Sequence, residues 1–259
     1  MRTLLVAIVG PLATIVFASL IFLGRLFRVP DTPGGFFDGI PRWWSQTILF
    51  AAGVRIRVHN PERMRSGEPR IFVCNHVSWF DVPAVAGTLP RGKYVAKAEL
   101  GKIPFFGFGM RSLGMIEIER TNRKSAFASY ELAARRIRAG TPVVVYPEGT
   151  RGFSYTLRPF KKGPFVLAIT AGVPIVPVAL HGTMEVMKKG GWRVRPGVVD
   201  VHLLEEVATE GYSYEDRDRL VAVVYDRMAA ALHEHHGVPL AQNSSGSSSA
   251  PTEPTRAAG

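Results

Sequence analysis

The sequence contains a single cysteine, Cys74, among its 259 residues. One thiol cannot form an internal disulfide, which excludes a disulfide-stapled fold and permits a reducing compartment. Acidic residues are also scarce: 21 Asp and Glu stand against 32 Lys and Arg, and the net charge is +11. This excess predicts an anionic partner, whether nucleic acid, an anionic membrane surface or a phosphorylated substrate. No serine stands in a Gly-x-Ser-x-Gly pattern, so the nucleophile elbow of α/β hydrolases is absent.

Residues 3–24 lack charge altogether and are largely apolar. About 20 apolar residues suffice to cross the hydrocarbon core of a bilayer. The segment ends in Gly-Arg-Leu-Phe-Arg-Val-Pro, a poor signal-peptidase site, so we predict a membrane helix that is retained. Pro11 leaves a re-entrant or interfacial course open. Trp43 and Trp44 lie in a shorter apolar segment at 41–54, which predicts either an amphipathic helix on the membrane surface or the second arm of a helical hairpin.

Apolar strands alternate with amphipathic helices from about residue 54 onward, which is typical of an α/β fold with a mixed sheet flanked by helices. Strands are predicted at 54–59, 70–76, 92–98, 114–120, 141–149, 173–180 and 199–207. Helices are predicted at 82–89, 125–140, 163–172 and 212–237. We therefore expect three parts: membrane-associated helices at 1–54, a single α/β domain at 55–240, and a Ser/Gly/Pro-rich, disordered tail at 241–259.

The stretch Cys-Asn-His-Val-Ser-Trp-Phe-Asp-Val, 74–82, follows an apolar strand and precedes a predicted helix. His76 is expected at the end of the strand, and Asp81 about one turn into the helix, from where its carboxylate folds back toward the imidazole. A carboxylate on one ring nitrogen fixes the tautomer, so that the other nitrogen can accept a proton. The pair suits deprotonation of an alcohol, although such a pair is also compatible with a purely structural role.

A second constellation, Tyr-Pro-Glu-Gly-Thr-Arg-Gly at 146–152, also follows an apolar strand, where α/β folds place ligands. Glu148 is a candidate polar contact to a substrate hydroxyl, Gly149 lets the backbone approach closely, and Arg151 offers a planar fork for phosphate. The alternative is a Pro-Glu-Gly turn with a solvated arginine. Three further basic residues lie beside apolar or glycine-containing stretches: Lys97, Arg120 and Lys161.

Other chemistries find less support in the sequence. Ser78 is a candidate nucleophile but equally a helix cap, and Cys74 is expected in the core. One histidine and one aspartate are too few ligands for a metal, so no metal site and no cofactor are predicted. The run His-Glu-His-His at 233–236 is interpreted as the polar end of a helix, with adventitious metal binding as its alternative.

Four blocks occur in one order along the chain: Asn-His-Val-Ser-Trp-Phe-Asp at 75–81, Gly-Met-Ile-Glu-Ile-Glu-Arg at 114–120, Pro-Glu-Gly-Thr-Arg at 147–151 and Val-Pro-Ile-Val-Pro at 173–177. Together they resemble the glycerolipid acyltransferase family, the 1-acylglycerol-3-phosphate acyltransferases and their relatives, whose first block is the HX4D motif. The resemblance covers about residues 55–205. Two departures are small: Tyr146 stands where Phe is common, and Gly152 where Ser is common.

The resemblance implies roles for individual residues. His76 corresponds to the general base and Asp81 to the carboxylate that orients it. The other matching positions bind the acceptor: Arg120 and Arg151 bind its phosphate, and Glu148, Gly149 and Thr150 form the acceptor block. Lys97 is a basic position of the second block, in the stretch that leads to 114–120, and Lys161 is a basic position after the third. Backbone N–H groups at the start of the helix after His76 are expected to receive the developing oxyanion.

The implied reaction is acyl transfer from an acyl-CoA or acyl carrier protein thioester to the free hydroxyl of a lysophospholipid, most simply 1-acylglycerol-3-phosphate, giving phosphatidic acid. The expected partners are these substrates and an anionic membrane, with no nucleic acid. Basic residues after the first apolar segment favour a catalytic domain on the cytoplasmic face of the cell membrane. Three alternatives stay open: another lysolipid or amino-lipid acceptor, a membrane-bound hydrolase using Ser78 or Cys74, and a non-catalytic lipid-binding module.

Overall fold

A computed structural model describes residues 1–32, 34–64, 68–89, 91–118 and 133–240, except for the side chains of Lys97, Glu117 and Ile118. The strands in this part of the chain are β1 (Val54–His59), β2 (Ile71–Cys74), β3 (Lys93–Lys97), β4 (Ile116–Ile118), β5 (Val143–Val145), β6 (Ile175–His181) and β7 (Gly197–Leu203). The helices are α1 (Arg2–Leu26), α2 (Phe36–Ala52), α3 (Asp81–Thr88), α4 (Phe106–Ser112), α5 (133–138), α6 (Gly163–Ala171), α7 (Thr183–Val186) and α8 (Arg217–His236).

The described strands form one mixed sheet in the order β1-β7-β6-β2-β5-β3-β4. The pair β6–β7 is antiparallel, and the other neighbouring pairs are parallel. Strands β2, β3, β5 and β6 therefore end at the same edge of the sheet, where α/β folds place their ligands. The α/β architecture with a mixed sheet and flanking helices, predicted from the alternating pattern, is confirmed.

Two apolar cores cover the two faces of the sheet, because side chains of a strand alternate between its faces. Ile71 and Val73 of β2 face a core shared with α5, α6 and α8. Phe72 and Cys74 of the same strand face a second core shared with α2 and α3. Helix α2 thus belongs to the layer that covers the sheet, and Gly53, with a φ of 72°, ends it directly before β1.

The N-terminal apolar segment forms α1, the one helix in the described residues that is long and apolar enough to cross a membrane. Only 17% of its apolar window is buried. The buried side of α1 packs on α2 and α4 through a small core of Ile21, Phe37, Ile40 and Leu113. The opposite side leaves large apolar side chains, such as Ile8 and Phe22, about half exposed.

Most of the predicted elements lie where the periodicity indicated, with shifted ends. Helix α2 begins at Phe36, five residues before the predicted segment at 41–54, and residues 106–112 and 183–186 form short helices that were not predicted. Of the predicted helix at 125–140, residues 133–138 are helical and 125–132 lie outside the described residues. The tail at 241–259, predicted to be disordered, also lies outside them. The division into parts at residue 54 stays a prediction.

Candidate active site

His76 and Asp81 meet at the edge of the sheet where β2 ends. The Nδ1 atom of His76 lies 2.7 Å from Oδ2 of Asp81, whose side chain is fully buried. Asp81 is the first residue of α3, so it reaches back across a single turn rather than from one turn inside the helix, as the sequence suggested. The contact makes Nδ1 the donor, because an ionised carboxylate only accepts. Nε2 is therefore the ring nitrogen that can accept a proton.

The carboxylate of Asp81 is held by three further donors. Its Oδ2 accepts the N–H groups of Val77 and Ser78 at 2.7 and 2.8 Å, and its Oδ1 accepts the hydroxyl of Thr183 at 2.5 Å. These bonds replace water around a buried charge, which is otherwise costly to desolvate. Thr183 opens α7 after β6, so the short unpredicted helix supplies one of the donors around the His76–Asp81 pair.

Asn75 fixes the strand end that presents His76. Its side-chain amide donates to the carbonyl of Leu180 at 3.0 Å and accepts the N–H of Leu180 at 2.7 Å. The side chain thus continues the pairing of β2 with β6 at the residue after Cys74, where β2 itself ends. Sequence reasoning did not assign a role to Asn75, although it opens the first of the four blocks.

The loop at 146–152 forms hydrogen bonds with both the N–H and the carbonyl of His76. The N–H of His76 donates to Oε1 of Glu148 at 2.8 Å, and the carbonyl of His76 accepts the N–H of Gly152 at 2.7 Å. Gly149 has a φ of 77°, a left-handed conformation that glycine adopts without strain, and this turns the loop back toward His76. The two sequence constellations are therefore parts of one site.

Arg158 is the partner of Glu148 that the sequence did not reveal. Its Nε donates to Oε2 of Glu148 at 3.2 Å, and its terminal nitrogen donates to the carbonyls of Glu148 and Thr150. Burial raises the pKa of Glu148 despite the opposing hydrogen bonds from the His76 N–H and Arg158. Both Glu148 oxygens are engaged by the protein, so this side chain shapes the loop in addition to any contact with an acceptor.

Tyr146 stacks on the imidazole of His76, with ring centroids 4.2 Å apart and planes inclined by 22°. This contact fixes the plane of the ring that Asp81 holds at one nitrogen. The Tyr146 hydroxyl is buried without a hydrogen-bond partner among the described residues, and burial raises its pKa. A phenylalanine at this position would keep the stacking contact, which explains why the departure at Tyr146 is small.

The predicted basic residues are only partly brought together. Arg151, half-buried, and Thr150, exposed, lie on the loop that grips His76, and Lys161 joins that loop through its N–H, 2.9 Å from the carbonyl of Pro147. Lys189, which was not predicted, donates to the carbonyl of Arg151 at 2.7 Å and adds a cation beside it. The side chain of Lys97 and the whole of Arg120 lie outside the described residues.

The alternative nucleophiles are both buried and engaged. The Ser78 hydroxyl donates to the carbonyl of Met187 at 2.7 Å and accepts the N–H of Phe80 at 3.1 Å. Burial raises the pKa of the Cys74 thiol well above its ordinary value, so the thiol stays protonated and unreactive. Neither side chain is placed to attack a carbonyl, which argues against the hydrolase alternative.

The expected oxyanion donors need correction. The N–H groups of Val77 and Ser78 already bind Asp81, the N–H of Phe80 binds the Ser78 hydroxyl, and that of Asp81 binds the Ser78 carbonyl. Because one N–H has one proton to donate, these groups are not available to a developing oxyanion. The prediction that this turn receives the oxyanion is therefore wrong for the N–H groups of these four residues, and it stays a prediction for the N–H of Trp79.

The geometry supports proton transfer by one imidazole whose tautomer, position and plane are each fixed by a separate contact. The carboxylates of Asp81 and Glu148 are occupied by protein donors and are therefore not free to bind a metal ion. What the site presents instead is a single basic nitrogen beside a loop carrying Arg151. Such a nitrogen serves a reaction in which a hydroxyl attacks an already activated carbonyl.

Known proteins with similar sequences are named as acyltransferases. The family profile for acyltransferases matches residues 55–181. The human 1-acyl-sn-glycerol-3-phosphate acyltransferase beta is 33% identical over 188 residues, which cover 72% of this chain and 68% of that protein. The 1-acyl-sn-glycerol-3-phosphate acyltransferase of Haemophilus influenzae is 30% identical over 198 residues, which cover 76% of this chain and 82% of that protein.

The fold is matched as well. The crystal structure of PlsC, the 1-acyl-sn-glycerophosphate acyltransferase from Thermotoga maritima, aligns with a TM-score of 0.71 and 25% identity, covering 90% of this chain and 94% of that one. The HX4D and Pro-Glu-Gly-Thr-Arg blocks therefore occur within a matching sequence and a matching fold. The chain belongs to the acyltransferase family, together with the 1-acyl-sn-glycerol-3-phosphate acyltransferases.

Proposed function

We propose that the protein transfers an acyl group from a thioester, acyl-CoA or acyl carrier protein, to the free hydroxyl of 1-acylglycerol-3-phosphate, producing phosphatidic acid. The observation that carries the proposal is the 2.7 Å contact between His76 Nδ1 and Asp81, which leaves Nε2 as the base. Relatives named for this activity support the choice of acceptor.

The reaction runs as a direct transfer. Nε2 of His76 takes the proton of the acceptor hydroxyl while its oxygen attacks the thioester carbonyl. The C–S bond then breaks, and the leaving thiolate takes the proton from the imidazolium. Asp81 stabilises the imidazolium in the interval, as a buried carboxylate does when hydrogen-bonded to the other ring nitrogen. The thioester is already activated, so no covalent acyl-enzyme is needed, and the buried states of Ser78 and Cys74 agree with this.

The acceptor phosphate is assigned to the cations beside the loop at 146–152. Arg151 offers a planar fork, and Lys189 is tied to the Arg151 carbonyl, so two positive charges stand next to the segment that grips His76. Holding the phosphate there positions the hydroxyl for attack. Arg120 and Lys97 keep their proposed phosphate-binding and basic roles. Glu148, Gly149, Thr150 and Lys161 remain proposed as the acceptor-binding surface.

Helix α1 is proposed to lie in one face of the membrane rather than to cross it. Its 25 residues are about 37 Å long. At one end Arg2 donates to the Ala51 carbonyl of α2, and at the other Arg25 donates to the Ser112 carbonyl of α4. A helix that crossed the bilayer would carry its ends to opposite faces and break one of these contacts. The exposed apolar side of α1 then enters the lipid, with the catalytic domain at the cytoplasmic face, where acyl thioesters occur.

Single-cysteine labelling tests this arrangement, since the buried Cys74 does not compete. One cysteine is placed in a short N-terminal extension before Met1, and another replaces exposed Thr32 beyond the far end of α1. An impermeant maleimide is applied to sealed vesicles of either orientation. We expect both positions to react only from the cytoplasmic face. Reaction from opposite faces would mean that α1 spans the bilayer.

An assay of the purified full chain in lipid tests the reaction itself. The acceptor is 1-acylglycerol-3-phosphate or a panel of other lysolipids and amino-lipids, the donor is acyl-CoA or acyl carrier protein, and products are read by mass spectrometry. We expect phosphatidic acid, and a loss of about 10²–10⁴-fold for His76→Ala. His233→Ala, which changes an exposed histidine on α8, is the matched control.

The outcomes separate the alternatives. Near-normal transfer by His76→Ala would refute the assignment of the base. Preferred acylation of another acceptor would keep the mechanism and replace the substrate. Lipid binding by wild-type protein without any transfer, for either donor and every acceptor, would favour the non-catalytic module.

A further inference from the structure

Five of the seven histidines, His76 not among them, gather with one aspartate on a single patch of the sheet. The members of this histidine cluster are His59, His181, Asp200, His202, His235 and His236. They come from four elements: the ends of β1 and β6, the middle of β7, and the last turn of α8. The His-Glu-His-His run at 233–236 does form the polar end of a helix, as expected, but that end lies against other histidines.

Strand register explains why the cluster forms. His59 of β1 stands opposite His202 of β7, and Asp200 of β7 stands opposite His181 of β6. Asp200 and His202 are two residues apart on one strand, so they share a face, and their partners across the ladders share it too. Helix α8 packs on that face and ends there, which brings His236 to the same place.

The ligand atoms converge at distances that suit a metal. Nε2 of His202 lies 2.9 Å from Nε2 of His236, and Nε2 of His59 lies 2.8 Å from Oδ1 of Asp200. The atoms of His59, Asp200 and His202 lie within 4.8 Å of one another, as do those of His181, Asp200 and His236. Two imidazole nitrogens on one tetrahedral zinc ion at about 2.0–2.1 Å stand about 3.3 Å apart, so an ion between His202 and His236 needs a shift of only tenths of an ångström.

The protonation states expected for the cluster histidines and Asp200 also suit metal binding. Burial, followed by the neighbouring histidines, lowers the pKa of His202 to about 4, and burial also lowers the pKa of His181 and of His236. Burial alone would raise the pKa of Asp200, but hydrogen bonds from His59 and Arg57 outweigh it and keep this pKa below its ordinary value. Neutral imidazoles and an ionised carboxylate are the forms that bind metal ions.

We propose that the histidine cluster binds one divalent transition-metal ion of the zinc class through Asp200, His202 and His236, with His59 or His181 as the fourth ligand. Three imidazoles and one carboxylate are a donor set that favours such ions over Mg²⁺ or Ca²⁺, which prefer oxygen ligands. A cation entering the cluster competes with Arg57, whose Nε lies 2.9 Å from Oδ1 of Asp200. The Arg57 side chain is 64% exposed, so it can move aside into solvent.

The bound ion would join the last turn of α8 to the strands β6 and β7. His181 ends β6 directly before Gly182 and Thr183, and Thr183 donates to Asp81 at the candidate active site. The ion would therefore be structural, and one of its candidate ligands, His181, ends the strand that leads to Thr183. Its ligands are spread from residue 59 to residue 236, which is why their spacing along the chain predicted no metal site.

Zinc titration of the full chain in detergent, purified without a histidine tag and stripped with chelator, tests the proposal. Calorimetry measures stoichiometry and Kd, and Co²⁺ substitution reports tetrahedral coordination by its visible absorption. We expect one ion per chain with a Kd tighter than about 1 µM. His202→Ala and His236→Ala should each weaken binding by about tenfold or more. His233→Ala is the matched control, because His233 lies in the same helical turn but its Nδ1 donates to the Val238 carbonyl instead.

Two conservative variants guard against loss of the fold. His59→Gln and His181→Gln replace partly exposed residues, and circular dichroism in metal-free buffer verifies folding. Weaker binding by either one identifies the fourth ligand and supports the proposal. Absence of Zn²⁺ binding by the wild type would overturn it. Unchanged binding by His202→Ala and His236→Ala would overturn it as well, and so would an equal loss of binding in His233→Ala. Binding that neither glutamine variant weakens would also contradict the proposal. The readout is metal binding, so the result is independent of acyl transfer.

Discussion

Two histidine–carboxylate pairs of nearly equal length lie on the same sheet. His76 Nδ1 is 2.7 Å from Asp81, and His59 Nε2 is 2.8 Å from Asp200. Asp81 is otherwise surrounded by neutral donors and is fully buried, whereas Asp200 also faces the guanidinium of Arg57 and further imidazoles. The comparison teaches that the distance does not assign the role. The other partners of the carboxylate decide whether the pair is suited to proton transfer or to binding a metal ion.

The aromatic neighbours repeat the contrast. The ring of Tyr146 stacks on His76 with centroids 4.2 Å apart, and the ring of Tyr155 packs on His181 of the histidine cluster at 4.3 Å with the planes tilted by 32°. The hydroxyl of Tyr146 is buried without a partner among the described residues, while that of Tyr155 donates to Glu185 and accepts the N–H groups of Gly182 and Met184. One tyrosine acts through its ring alone, and the other also ties β6 to α7.

The largest expected effect separates the two carboxylates. Asp81→Asn keeps the size of the side chain but removes the charge that stabilises an imidazolium at His76, so we expect kcat to fall by about 10²–10⁴-fold. KM should change far less, because Asp81 is buried behind the imidazole. Asp200→Asn is the matched change in the other pair, and its kcat should be at least about tenfold higher than that of Asp81→Asn. Steady-state kinetics of both variants checks this, and equal losses would abolish the distinction between the pairs.

Sequence periodicity predicted the sheet well because its strands show either strict apolar–polar alternation or a short apolar run bounded by turn residues. The seven predicted strands each overlap an observed one, and Gly172 ends α6 in the left-handed conformation expected of a helix stop. The short helices α4 and α7 were missed, since seven and four residues are too few for a helical period to appear. Local pattern therefore predicts long elements and fails for single turns.

The candidate site was predicted in part for the same reason. His76, Asp81 and Glu148 lie in compact blocks, and the fold brings these blocks together. Thr183 and Arg158 escaped because each acts on a residue of another segment, and no spacing along the chain encodes that contact. The histidine cluster is the extreme case. Its members lie in four separate segments of the sequence and meet only through the register of three strands and the packing of α8.

The next effect concerns the cation that holds Glu148. Arg158→Ala leaves a buried carboxylate with only the His76 N–H as a partner, and we expect a loss of about 2 kcal/mol in unfolding free energy at neutral pH. The value is below that for a fully buried pair because Arg158 is 39% exposed. Arg219→Ala, which breaks an exposed ion pair with Asp216, is the control and should leave the unfolding free energy near that of the wild type.

The pH dependence of that loss has a definite sign. Burial raises the pKa of Glu148 in the folded protein above its value in the unfolded chain. The stability that protonation of Glu148 contributes is therefore fully present below the unfolded pKa and is lost as the pH rises through the folded pKa. Removing Arg158 raises the pKa further. The difference between variant and wild type should therefore be smaller at about pH 5 than at about pH 8, as measured by denaturant unfolding. A difference that grows on acidification would contradict this account of the Glu148–Arg158 pair.

The tyrosine pair should respond with opposite signs. Tyr155→Phe leaves two N–H groups and a carboxylate without their partner, so a loss of about 2 kcal/mol in unfolding free energy is expected. Tyr146→Phe removes a buried hydroxyl that has no partner, so a gain of up to about 1 kcal/mol is expected. Both variants keep the ring that stacks on a histidine. Chemical denaturation measures both values, and destabilisation by Tyr146→Phe would show that its hydroxyl has a partner after all, such as a water.

A smaller change in metal affinity is expected from the arginine that contacts Asp200. Arg57 occupies both Asp200 oxygens and repels an incoming cation, so Arg57→Ala should tighten Zn²⁺ binding about three- to tenfold. Arg55→Ala removes the same charge from the same strand without touching the Arg57–Asp200 contact, so it isolates the contribution of that contact. Calorimetric Kd values for the two variants decide the matter. Equal tightening in both would reduce the effect to net charge, whereas weaker binding in Arg57→Ala would mean that the guanidinium positions Asp200 for the metal. Among the described residues Asp81 has no arginine or lysine within ion-pair distance, whereas Asp200 has Arg57. The same substitution therefore tests whether a displaceable cation is what distinguishes Asp200 from Asp81.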